Sequence, residues 1–141
     1  MEAVSGLVPE LIVSDLKSSL AFWVGLLDFS VHYDRPEEGF VYLRRETCDV
    51  MLEQPLEGQR SWVTALLSKP FGRGINFQIE NQDWSPQLAK LRKNAWPLYL
   101  EPEEKWYRAG EDEVGQRQFL VQDPDGYLLR LCQPIGRRRA A

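Results

Sequence analysis

The sequence predicts an α+β domain built from two β-α-β-β-β modules, whose strands form a cupped mixed sheet with the helices outside. Three observations predict it. Apolar residues alternate with a period of two along several short segments, and along two others they form the stripe of an amphipathic helix. The order strand, helix, three strands then occurs twice along the chain. Within that repeat, residues 40–54 and 119–133 both begin with Phe and end with Gln, and they share Leu52 and Leu131 near their ends.

The elements follow in order. Residues 6–13 alternate as a strand, with Leu7, Leu11 and Val13 on one face and Val8, Glu10 and Ile12 on the other. Ser14-Asp15 supplies a helix N-cap. The stripe Leu16, Leu20, Phe22, Trp23, Leu26, Leu27 predicts a helix over 16–27, with Phe22 and Trp23 in the core. Strands are expected at 29–33, 40–44 and 49–54, the first two separated by the turn-forming Arg-Pro-Glu-Glu-Gly. Residues 55–73, with Pro55, Gly58, Pro70 and Gly72, form a connector holding a possible short helix at 61–67. The second module then has strands at 74–79, 97–101, 116–122 and 127–133, a helix at 85–94, and the tight turn Asp123-Pro124-Asp125-Gly126. The expected organisation is one domain, 1–141, with half-modules 6–54 and 74–133.

Composition narrows the function. The chain has 141 residues, 43% hydrophobic and 27% charged, enough to bury one continuous core. No apolar run approaches a membrane span, and the leading Met-Glu-Ala-Val-Ser-Gly lacks the basic and apolar regions of a secretory leader, so a cytoplasmic location is expected. Cys48 and Cys132 are expected as reduced thiols. His32 is the sole histidine, which argues against a His-rich metal site or a Ser-His-Asp triad, and it is expected on a strand surface. Arg137, Arg138 and Arg139 read as a solvated basic tail. Without them 14 basic residues face 21 acidic ones, a balance that disfavours nucleic acid and favours a cationic ligand. Acidic residues cluster at Glu101, Glu103 and Glu104 and at Glu111, Asp112 and Glu113.

Three segments carry a family resemblance: Val8-Pro9-Glu10-Leu11 with Ser14-Asp15, Ala21-Phe22-Trp23 and Leu27-Asp28-Phe29; then Asp49-Val50-Met51-Leu52-Glu53; then 114–119 running into Asp123-Pro124-Asp125-Gly126 and 127–131. In these the chain resembles the glyoxalase/bleomycin-resistance/dioxygenase (vicinal-oxygen-chelate) superfamily, and within it the bleomycin-resistance proteins. The resemblance implies the cupped fold above. Metal-dependent members take four ligands, typically His, Gln or Glu, from strand positions that match Val8, Met51, Gly74 and Arg130 here. None supplies what a divalent cation requires, an imidazole, carboxylate or amide donor at about 2 Å, so no metal and no other cofactor is expected. The bleomycin-resistance branch keeps the fold without the metal. Membership there implies a homodimer sequestering a cationic, antibiotic-like small molecule, and Pro9 fits that branch. Many members have tryptophan where this chain has Val114.

Positions sharing a strand face with the matched ligands should point into the cup. They include Glu10; Asp49, Met51 and Glu53; Asn76 and Gln78; and Arg130. Two accounts of the carboxylates stay open: Glu10 or Asp49 pairs with Arg130 and closes the cup, or Glu10, Asp49 and Glu53 line a site for a cation. Tyr33, Phe40, Trp62, Trp106 and Tyr107 are candidate stacking surfaces at the rim. The alternative to a binding protein is a glyoxalase-like lyase or dioxygenase using Glu10, Asp49 and Glu53 as an unusual ligand set; a purely partner-binding module is a third.

Overall fold

A computed structural model describes residues 5–59 and 61–141, so Met1–Val4, on which the expectation about a leader partly rested, lie outside the described residues. The chain divides into two compact units, Met1–Phe71 and Gly72–Ala141. Each is a four-stranded mixed sheet with one helix.

In the first unit β1 is Glu10–Ile12, α1 Leu16–Trp23, β2 Ser30–Arg35, β3 Phe40–Arg45 and β4 Cys48–Glu53. The spatial order is β1-β4-β3-β2. β1 runs parallel to β4, with Glu10 opposite Met51, and the other pairs are antiparallel. One face is apolar as expected: Leu11, Val13, Val41, Leu43, Val50 and Leu52 are buried, together with Phe22, Trp23, Leu27 and Phe29. Trp23 meets Phe29 edge-on at 5.1 Å, a favourable aromatic geometry.

The apolar stripe reaches Leu27, but the regular helix stops at Trp23. Phe29 N–H closes on Trp23 O at 3.0 Å while Asp28 takes φ 62°, so residues 24–28 wind into a left-handed cap. Periodicity shows which residues are buried; it does not show where the hydrogen-bond ladder ends. Gly39 is required where it stands. Its φ is 65°, and a Cβ there would lie 2.3 Å from the carbonyl oxygen of Gln54.

In the second unit β5 is Asn76–Glu80, α2 Ser85–Lys93, β6 Leu98–Ala109, β7 Asp112–Gln122 and β8 Leu128–Arg139. The order β5-β8-β7-β6, with β5 parallel to β8, repeats that of the first unit. Ile79, Trp84, Leu91, Phe119, Val121, Leu129 and Leu131 are buried. The Trp84 indole N–H donates to the carbonyl of Cys132 at 3.0 Å, joining the start of α2 to the sheet.

Three expectations change. First, β6, β7 and β8 are 12, 11 and 12 residues long, so the basic tail is strand and not a solvated terminus. Arg137 pairs with Asp112 at 2.8 Å, Arg138 with Glu113 at 2.9 Å and Arg139 with Glu111 at 3.3 Å. The tail and one acidic cluster thus neutralise each other across a hairpin, an arrangement that polar residues on both faces conceal from periodicity. Second, residues 61–67 form no helix; a segment this short has too few internal hydrogen bonds to offset nucleation. Third, the match of Phe40 with Phe119 is not structural. Phe40 pairs with Glu53, whereas Phe119 pairs with Leu131. The β7–β8 turn is one residue longer than the β3–β4 turn, so with Met51 and Arg130 equated the counterpart of Phe40 is Gln118. No helix among the described residues is long and apolar enough to cross a membrane.

Candidate functional site

Strand alternation sends the residues between the core positions to the opposite face of each sheet. In the first unit, pairing arranges them in rows: Glu10, Met51, Tyr42 and Tyr33 in one, and Ile12, Glu53, Phe40 and Arg35 in the next. A bulge between Val31 and Tyr33 places an extra residue in β2. His32 is exposed as expected, yet it rests against Tyr33 and Tyr42 with ring centroids 5.6 and 5.5 Å away. Tyr33 and Tyr42 stack at 5.0 Å with rings 20° apart, and Phe40 is 6.1 Å from Tyr33. The Arg35 guanidinium lies 3.9 Å over the Phe40 ring, and its Nε donates to Glu38 at 2.6 Å. An aromatic face here already holds a cation, one from the protein itself.

The three carboxylates have different fates. Asp49 is buried and accepts from the Tyr42 hydroxyl at 2.6 Å and from Arg44 Nε at 2.8 Å. The Arg44 guanidinium holds its pKa down to about 2, while Asp49 in turn raises that of Tyr42. Its charge is spent within its own sheet. Asp49 therefore has its ion-pair partner, Arg44, within the first unit. Glu53 is the reverse case. Burial raises its pKa, and the hydrogen-bonded Glu10 carboxyl beside it raises it further, with Arg35 offsetting only part. Its Oε1 accepts one hydrogen bond, from Gln59 at 3.0 Å. Glu10 itself is exposed. A cation beside two neighbouring carboxyls relieves their mutual repulsion.

The inner face of the second unit differs in kind. Its rows are Gln78, Arg130, Leu120 and Leu100, then Glu80, Cys132, Gln118 and Glu103. Arg130 donates to Gln78 at 2.8 Å. Gln118 donates to Glu103 at 3.0 Å and to the Tyr107 hydroxyl at 2.7 Å. Asn76 opens β5 and is exposed.

Of the twelve expected site residues, Glu10, Tyr33, Phe40, Asp49, Met51 and Glu53 come together on the first sheet, and Asn76, Gln78, Tyr107 and Arg130 lie on one face of the second. Two stand outside these sets. Trp62 stands in the connector, 70% exposed. Trp106, next to Tyr107 on β6, points to the other face, beneath Arg138 at 3.9 Å and against Gly115, which it faces across the pair. Tyr42, Arg44, Arg35, Glu103 and Gln118 were missed. Tyr42 and Arg44 follow Phe40 at steps of two, so alternation alone would have found them.

No protein-family model and no curated protein matches the sequence. Among solved structures, a glyoxalase/bleomycin resistance protein/dioxygenase superfamily member from Vibrio splendidus 12B01 is 41% identical over 89% of this chain and 95% of that one, with a TM-score of 0.42. The chain belongs to the glyoxalase/bleomycin resistance protein/dioxygenase superfamily. Sequence identity over nearly both full lengths decides this. The fold is shared at lower identity by TioX from Micromonospora sp. ML1, 17% identical over 93% of this chain and 99% of that one at TM-score 0.70. It is shared too by TnmS3, an antibiotic-binding protein from Streptomyces sp. CB03234, 17% identical over 96% of this chain and all of that one at TM-score 0.62.

The residues present do not fit the divalent metal of the superfamily's metal-dependent members. Met51 offers a thioether and Arg130 a permanent cation bonded to Gln78. With those two equated, the register makes Asn76, not Gly74, the counterpart of Val8, because Asn76 lies opposite Leu128 as Val8 would lie opposite Asp49. A lone amide does not restore a ligand set. Among the described residues no three His, Cys, Asp or Glu side chains gather to hold a metal ion. The alternative trio Glu10, Asp49 and Glu53 also fails as a chelate, since Asp49 is already committed to Arg44 and Tyr42.

Proposed function

We propose that this protein is a metal-independent small-molecule-binding protein of the bleomycin-resistance type, which sequesters a cationic ligand bearing a planar group. The observation that carries this is the Glu10–Glu53 carboxyl pair beside the Tyr33, Tyr42 and Phe40 rings. A cation entering between the two carboxyls relieves their repulsion, and its planar part stacks on the rings. The position of Arg35 over Phe40 supports the same chemistry, as does the description of TnmS3 as an antibiotic-binding protein. No bond is made or broken. Sequestration needs affinity alone, and a dissociation constant near 1 μM corresponds to about −8 kcal/mol. The half-modules act as one domain, and the working unit is a cytoplasmic homodimer.

Calorimetric titration of the full chain with a bleomycin tests the assignment. Saturable binding that weakens with salt and with Glu53→Gln is expected, the variant losing about 1 kcal/mol or more. Binding that is unaffected by Glu53→Gln and abolished by Arg130→Met would replace the cationic ligand with an anionic one. Sedimentation at micromolar concentration tests the dimer, and a monomer would refute it.

A further inference from the structure

The inner face of the second unit contains three side-chain atoms that the protein itself does not satisfy. Gln118 is only 3% exposed. Its Nε2 donates both to the Glu103 carboxylate and to Tyr107, which fixes the amide's orientation, because a carboxylate only accepts. The Oε1 is left buried without a donor, and the same holds for Oε1 of Gln116, while Nε of Arg130 is buried without an acceptor. Such orphans are uncommon in folded proteins and call for an occupant.

The three lie on one face. β6 sets Glu103 opposite Gln118 and Lys105 opposite Gln116, so the two glutamines project together, about 7 Å apart along the strand. On β8, Arg130 faces Leu120 and Cys132 faces Gln118, which puts Arg130 diagonal to Gln118 and within reach of a long side chain. The set is two acceptors and one donor. A primary carboxamide is its complement, with two N–H bonds and one carbonyl. A carboxylate would set its oxygens against the two glutamine oxygens and Glu103. An amidinium would meet the Arg130 charge. We propose that this face is a carboxamide-binding subsite, in which Gln118 and Gln116 accept the two N–H groups and Arg130 Nε donates to the carbonyl. Access requires a swing of the half-buried Arg130 side chain away from Gln78. None of these residues belongs to the Glu10–Glu53 cluster, so the subsite and the cation site stand or fall separately.

The test is an NMR titration of the full chain with benzamide, benzoate and benzamidine, read at the side-chain amide resonances of Gln116 and Gln118. Benzamide should shift both in a saturable way, and Gln118→Met should weaken its binding by about tenfold or more, the effect of losing one buried hydrogen bond. Benzoate and benzamidine should leave these resonances in place, and Glu53→Gln should not alter the benzamide response. Should Gln118→Met fail to fold, Gln116→Met provides the same comparison. Absence of any benzamide shift, as when ordered water alone fills the face, would overturn the proposal. So would tighter binding of benzoate, or benzamide binding that survives the glutamine substitution.

Discussion

The two inner sheet faces share a topology and differ in almost every side chain that topology presents. In the first unit the strands offer carboxyls and stacked rings; in the second they offer amides, leucines and an arginine, with the carboxylates of Glu80 and Glu103 on its edge strands. Where Met51 sits between Glu10 and Tyr42, Arg130 sits between Gln78 and Leu120. A duplicated scaffold thus fixes positions without fixing chemistry.

The largest expected effect tests whether the buried charge of the first face is as costly to disturb as its bonding suggests. Asp49→Ala should destabilise the protein by about 3 kcal/mol, since it leaves Arg44 and the Tyr42 hydroxyl without their buried acceptor. Arg130→Met on the other face should cost under about 1 kcal/mol, because Arg130 bonds a neutral amide. Equal costs in urea denaturation would erase the contrast. Acid should act on the first face in the same sense. Asp49 has its pKa depressed to about 2, so its contribution is complete above the ordinary carboxylate range and is lost as pH falls towards 2.

Glu53 should show the opposite sign. Its pKa is raised by burial and by Glu10, so its contribution is complete at acid pH and disappears as pH rises through the raised value. Glu53→Gln should therefore raise the melting temperature at neutral pH, by a stability gain of about 1 kcal/mol, while weakening the binding of a cation. For the unaltered protein, cation affinity should increase with pH across that titration, with proton release visible as buffer-dependent enthalpy. A Glu53→Gln protein that is less stable at neutral pH would show the pair to be structural.

Two further effects lie at the far ends of β7 and β8. A Cβ on Gly115 would lie 2.7 Å from the Trp106 ring, so Gly115→Ala should cost about 1–2 kcal/mol as the ring and the overlying Arg138 shift. Replacing Arg137, Arg138 and Arg139 by glutamine should change stability least, by under about 1 kcal/mol per pair and less in high salt, because these pairs are exposed. A loss that persists at high salt would point to packing of Arg138 on Trp106 instead of charge.

By itself the sequence determined the order of elements, the repeat, and which strand face is apolar. Leu11, Val50, Leu52, Leu129 and Leu131 are buried as alternation requires, since a period of two leaves no other way to hide them. It also marked Met51 and Arg130 as residues without a suitable metal donor, whereas register alone showed that Asn76 and not Gly74 stands opposite Leu128. Only tertiary structure decided where strands stop and who pairs with whom. β8 runs on to Arg139 because Glu111, Asp112 and Glu113 lie opposite on β7, a long-range match with no local periodicity. Asp49, Glu53 and Glu10 looked alike as inner-face carboxylates. They became a spent anion and a strained pair because Arg44 and Tyr42 reach one of them and not the others, and that choice is made by strand register and side-chain reach in three dimensions.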